Sequence, residues 1–271
     1  MEHKKMLFRD VKINYQDEGV AQSKATIVFL HGFMNDLDIW HYYLVDYMQK
    51  VRVITIDLLG HGASENLSDV HSMELQADMV KAVLDNVEVK NCVIVGHSMG
   101  GYVGLAFAQK YPQYVKGLCL LHSHALSDRE DEKQARNRIC ETLKHNKPNF
   151  ILDFIPNLFA ESNRERLHKD IEDMKASALQ MKAESIIAAE QGMAARPSTL
   201  NILSSSNYPI LFILGKKDTR IPVELALSQA MLPSHSELLL LDNVGHMSHV
   251  EKKEIVKRRL YSFLLMCYSV A

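Results

Sequence analysis

Six short runs constrain this chain more than anything else in it. A-T-I-V-F-L (25–30), V-R-V-I-T-I-D (51–57), N-C-V-I-V (91–95), V-K-G-L-C-L-L (115–121), P-I-L-F-I-L-G (209–215) and S-E-L-L-L-L-D (236–242) are apolar almost throughout. A strand with one wet face alternates polar and apolar residues, whereas a parallel strand covered on both faces is continuously apolar. Amphipathic segments separate the runs. L-D-I-W-H-Y-Y-L-V-D-Y-M (37–48), M-E-L-Q-A-D-M-V-K-A-V-L-D-N-V (73–87, with Ser72 placed to cap it), Gly100 to Tyr111 and a stretch over about 248–265 carry helical spacing. Strand and helix in this rhythm predict an α/β fold, a doubly wound sheet with right-handed crossovers. F-R-D-V-K-I-N-Y (8–15) alternates and fits an antiparallel edge strand.

The rhythm breaks once. From about 124 to 206 there are helix signals and no strand signal. Ser127-Asp128-Arg129-Glu130 and Ser162-Asn163-Arg164-Glu165 have capping-box spacing, and Pro148, Pro156 and Pro197 punctuate the segment. This predicts one domain over 1–271 with a helical cap, 124–206, inserted in it. F-I-L-D-F-I-P-N-L-F (150–159) is read as the apolar core of that cap.

Charge narrows the function classes. With 31 Lys and Arg against 33 Asp and Glu, the net charge is −2. No basic stripe or known binding motif suggests nucleic acid. The N-terminus lacks the apolar core of a secretory signal, and no run approaches the roughly 20 apolar residues of a membrane span. Cys92, Cys119, Cys140 and Cys267 stand far apart, as reduced thiols of a cytoplasmic protein would. The sequence does not fix an oligomeric state.

The chemistry is concentrated at strand ends. Gly96-His97-Ser98-Met99-Gly100 has the form G-x-S-x-G between a strand and a helix. A sharp strand-to-helix turn needs glycine on both sides, because side chains there would strike the neighbouring strand and helix. The turn lifts the Ser98 hydroxyl to a helix N-terminus, where negative charge is favoured. A serine nucleophile needs a base, and the base an orienting acid. Asp218 follows the 209–215 strand and His246 follows the 236–242 strand, both at the carboxyl edge where catalytic groups of such sheets gather. Asp242 and His249 are the rivals. Asp242 lies closer to the strand itself, His249 falls within the last helix, and Gly245 gives the His246 loop freedom. The backbone N–H groups of Phe33 and Met99 are candidates for an oxyanion hole. His31 is read as tying down its loop, and Asp57 with its neighbours as stabilising a turn.

Together H-G-F, D-L-L-G-H-G-A-S, G-H-S-M-G-G, G-K-K-D-T-R-I-P and V-G-H-M-S-H resemble the α/β-hydrolase superfamily, in its single-domain lidded branch. The resemblance implies a mostly parallel sheet of about eight strands. It also implies Ser98 as nucleophile, Asp218 as acid, His246 as base, and Phe33 and Met99 as oxyanion donors. The activity expected is hydrolysis of an ester-like bond in a small, mainly apolar substrate through an acyl-enzyme, with no cofactor. Lactone, thioester or C–C bond cleavage on the same triad is the alternative, as is a non-catalytic small-molecule sensor. Met34, His122, Phe154, Leu158, Met193 and Met247 are expected to line the pocket. Arg136 and Arg138 on a cap helix are expected to face solvent, with contact to a substrate carboxylate as the alternative. His122 and His124 are close in sequence, but no third ligand of suitable spacing appears, so no metal site is expected.

Overall fold

The computed structural model describes residues 1–20 and 23–269. Eight strands form one sheet: β1 (Lys4–Phe8), β2 (Val11–Gly19), β3 (Thr26–Leu30), β4 (Arg52–Ile56), β5 (Cys92–His97), β6 (Val115–Leu121), β7 (Ile210–Gly215) and β8 (Ser236–Leu241). Their order is β1-β2-β4-β3-β5-β6-β7-β8. From β4 to β8 every pairing is parallel, and β2 pairs antiparallel with both β1 and β4. The α/β class and the positions of the six apolar runs thus agree with the sequence.

Two strands differ from expectation. The single edge strand over 8–15 is a hairpin, and β1 is the true edge. Arg9 and Asp10 turn the chain at φ 48° and 70°. Both sit in the left-handed region that tight hairpins require, but without the glycine that signals such turns. At the other edge, β8 has no outer neighbour, and Leu238 is exposed despite its apolar run.

Helices cover both faces. α1 (His41–Tyr47), α2 (Met73–Asn86) and α3 (Met99–Lys110) follow β3, β4 and β5 in turn. Ser72 accepts from the Leu75 N–H at 3.1 Å and caps α2. Between β6 and β7 lie α4 (Glu130–Phe154, kinked at Asn146), α5 (His168–Gln180), α6 (Ala183–Ala195) and α7 (Leu200–Ser205). Neither expected capping box there forms. α4 begins after Arg129, whose N–H donates to Glu132, and the Ser162 segment is a short 3-10 turn. α8 (Val223–Ala230), α9 (Ser248–Glu251) and α10 (Lys253–Ser269) complete the chain. One core joins α2, α3 and the helices between β6 and β7 on one face of the sheet. The other packs Trp40 and α1 against Phe263 and its neighbours on α10. No described helix is long and apolar enough to cross a membrane.

Candidate active site

Ser98 joins β5 to α3 at φ 51° and ψ −115°, a conformation few residues adopt. Such strain costs of order 1–3 kcal/mol and persists only where its surroundings enforce it. Glycine allows the enforcement. A Cβ on Gly96 would lie 2.3 Å from the Gly100 carbonyl oxygen, and one on Gly100 would lie 2.4 Å from that of Leu30. Gly101 is equally bound, 2.4 Å from Ser123 Oγ, whose hydroxyl donates to the Ser98 carbonyl at 2.8 Å.

Asp218 and His246 come together from loops after β7 and β8. His246 Nδ1–H donates to Asp218 Oδ2 at 2.8 Å, which leaves Nε2 free of that bond. A second histidine shares that oxygen. His122 Nδ1 lies 2.9 Å from Oδ2, and its Nε2 accepts from the Ser248 N–H at 3.3 Å, so its proton resides on Nδ1. The other carboxylate oxygen, Oδ1, accepts from the N–H groups of Arg220 and Ile221 at 2.8 and 3.0 Å. Burial alone would raise the Asp218 pKa. Attraction to His246 and the histidine hydrogen bonds overcome it and hold the group well below its ordinary value. His122 is driven the other way by burial, so it stays neutral. The rivals separate cleanly. Asp242 is exposed and paired with Lys216, and His249 is buried against Trp40.

Two further contacts fix the His246 backbone. His97 Nε2–H donates to the His246 carbonyl at 2.9 Å, and the His246 N–H donates to the Leu158 carbonyl at 2.7 Å. Gly245 serves close approach rather than freedom: a Cβ there would meet Ala160 N at 2.6 Å. The buried Glu251 carboxylate collects the N–H groups of Gly245 (2.8 Å), Met247 (3.4 Å) and Ala160 (3.1 Å) and the Asn163 amide (2.7 Å). It thereby joins the His246 loop to the segment after α4.

A cavity of about 210 Å³ holds Ser98 and His246 in its wall. Ser98 Oγ makes no hydrogen bond among the described residues; the bond to a base in an apo site often tightens only when substrate arrives. The N–H groups of Phe33 and Met99 find no protein acceptor among the described residues, as donors kept for a ligand would not. His31 ties the Phe33 loop: Nδ1–H donates to the Gly32 carbonyl, and Nε2 accepts from Leu58.

Of the six expected pocket residues, Phe154, Leu158 and Met193 line this cavity. Met34, at φ 56°, lines a separate cavity with Ile39, Tyr42 and Met174. His122 stands behind Asp218, and Met247 is buried at the start of α9, outside the cavity wall. The wall is more charged than expected. Arg136, placed in solvent by the sequence reading, lies in it and binds Asp128 (2.5 Å) and Glu190 (2.8 Å). Arg196 NH1 lies 2.6 Å from the same Asp128, and its guanidinium stacks on Tyr102. A lone glutamate in the apolar stretch I-I-A-A-E-Q-G-M was the available signal for such a buried pair.

The fold also brings ligands to His122 that no local spacing reveals. Single donor atoms of His122, Asp218 and His246 lie within 4.8 Å of one another, the one such trio among the described residues. Both imidazole Nδ1–H groups already donate to Asp218, so a cation would have to replace the two bonds that orient the acid.

A family model described as alpha/beta hydrolase fold matches residues 25–253. The chain is 28% identical to the structure of a thermophilic esterase from Thermogutta terrifontis with malate bound, with a TM-score of 0.91 over 98% of this chain and 99% of that one. It is 25% identical to a putative 2-succinyl-6-hydroxy-2,4-cyclohexadiene-1-carboxylate synthase of Bacillus subtilis, across 94% and 95% of the two chains. It is also 28% identical, over 90% of its length, to the dihydrolipoyllysine-residue acetyltransferase component of the acetoin cleaving system of Pseudomonas putida, of whose length it spans 64%.

Proposed function

This chain belongs to the alpha/beta hydrolase fold family and is a hydrolytic enzyme, and we propose that it is a serine hydrolase cleaving ester-like bonds through Ser98, His246 and Asp218. The observation that carries this is the His246–Asp218 bond, which leaves the second imidazole nitrogen in the same small cavity as a serine held at an elbow. His246 takes the Ser98 proton as Oγ attacks the carbonyl. The Phe33 and Met99 N–H groups receive the developing oxyanion, a stabilisation worth about 2.7–4 kcal/mol per donor elsewhere. The alcohol leaves with the proton from His246. Water, deprotonated by His246 in turn, releases the acid and restores the serine. The segment between β6 and β7 acts as the cap: it contributes Phe154, Leu158 and Met193 to the wall of the cavity that Ser98 also lines. Four buried free cysteines suit a reducing cytoplasm.

The test is Ser98→Ala with p-nitrophenyl acetate. Turnover should fall by at least about 10,000-fold, with loss of fluorophosphonate labelling. Ester turnover that survives the substitution overturns the assignment.

A further inference from the structure

The cavity wall contains a cation with no ion-pair partner among the described residues. Arg136 is taken by Asp128 and Glu190, and Arg196 by Asp128. Glu132, also in the wall, is engaged by Arg129. Asp218 is filled by four donors. Arg220 remains: it lines the cavity with Ser98, His246 and Phe154, its guanidinium lies over the Phe154 ring, and it has no carboxylate within 4 Å among the described residues.

It is also held in place. Its backbone N–H is anchored on Asp218 Oδ1 at 2.8 Å, and its guanidinium lies 4.2 Å over the Phe154 ring. Phe154 in turn packs edge-on against Phe33, ring centroids 5.9 Å apart. An aromatic wall therefore runs from the proposed oxyanion loop to a charged planar fork. A guanidinium stays protonated, and its fork matches a carboxylate in two parallel hydrogen bonds. Stacking restricts the side chain without occupying its in-plane donors.

We propose that Arg220 binds a carboxylate carried by the substrate, so that the preferred ester is a small acid derivative with an anionic end a few bonds from the scissile carbonyl. The proposal rests on the serine-hydrolase reading for its catalytic arm only. In that arm, the p-nitrophenyl monoester of glutarate is compared with p-nitrophenyl pentanoate, which has a methyl in place of the carboxylate. The native enzyme should favour the anionic ester at least tenfold in kcat/KM. Arg220→Gln should erase that ratio, chiefly through KM, and Arg220→Lys should keep part of it. Arg220 is an exposed residue with no ion pair among the described residues, so folding should survive either change. The binding arm needs no turnover: calorimetry of glutarate with Ser98→Ala should show binding that weakens at least tenfold when Arg220→Gln is added. An anionic-to-neutral ratio unchanged by Arg220→Gln overturns the proposal, as does absence of glutarate binding, or inorganic phosphate binding as well as glutarate.

Discussion

Asp57 and Asp218 are a natural pair to compare. Each follows a strand at the carboxyl edge of the sheet, and each is buried and multiply hydrogen-bonded. Asp57 Oδ1 accepts from the Leu37 N–H (2.7 Å), and Oδ2 from the Asn14 amide (2.7 Å) and the Ala63 N–H (2.8 Å). Asp218 replaces the amide with two imidazoles. Burial pushes both pKa values up. It prevails at Asp57, against His31 and the amide bonds, and loses at Asp218. Equal burial therefore does not decide a carboxylate's state; the partners do. Amide donors make Asp57 a fastener of its own loop to β2 and to the turn before α1, and imidazole donors hold the Asp218 carboxyl well below its ordinary value beside His246.

The largest test of that contrast is kinetic. Asp218→Asn should lower kcat for ester hydrolysis by about 10,000-fold, because the wrong His246 tautomer is then favoured. Asp57→Asn should stay within about tenfold of native. Equal losses in steady-state assays would break the comparison. Stability should invert the ranking. Asp57→Ala leaves the Leu37 N–H buried and unpaired, a loss of roughly 1–3 kcal/mol in urea unfolding. His122→Gln sharpens the Asp218 side: removing one imidazole donor should reduce stability by about 1.5–3 kcal/mol and lower kcat by less than Asp218→Asn does.

Acid titration gives the smallest effect, at most about 1.4 kcal/mol per pH unit for each group. Asp218 lies below the ordinary aspartate value of 3.8, so its stabilisation is complete above 3.8 and is lost as pH falls beneath it. Asp57 lies above 3.8, so it costs stability at neutral pH and that cost is relieved as pH drops through its folded value toward 3.8. Thermal melts should show Asp218→Asn losing less than native protein between pH 4 and pH 2. Asp57→Asn should lose more than native above pH 4.

What the sequence made legible was local. Ser98, Asp218 and His246 each follow an apolar run, with glycine within three positions, and such punctuation survives without knowledge of the fold. The hairpin at Arg9-Asp10 escaped because its positive φ values carry no glycine. The doubling of histidines on Asp218 escaped because 96 residues separate the partners, and the Arg136–Glu190 pair because 54 do. Periodicity predicts that a helix has a buried face, not what meets it there.

Glu251 carries one more consequence. Its carboxylate grips Gly245 and Met247 on one side and Ala160 and Asn163 on the other, while His246 itself is bonded to Leu158. The segment after α4 and the loop that carries His246 are thus tied through one carboxylate, so displacing Leu158–Asn163 would have to break those bonds or carry the His246 backbone with it.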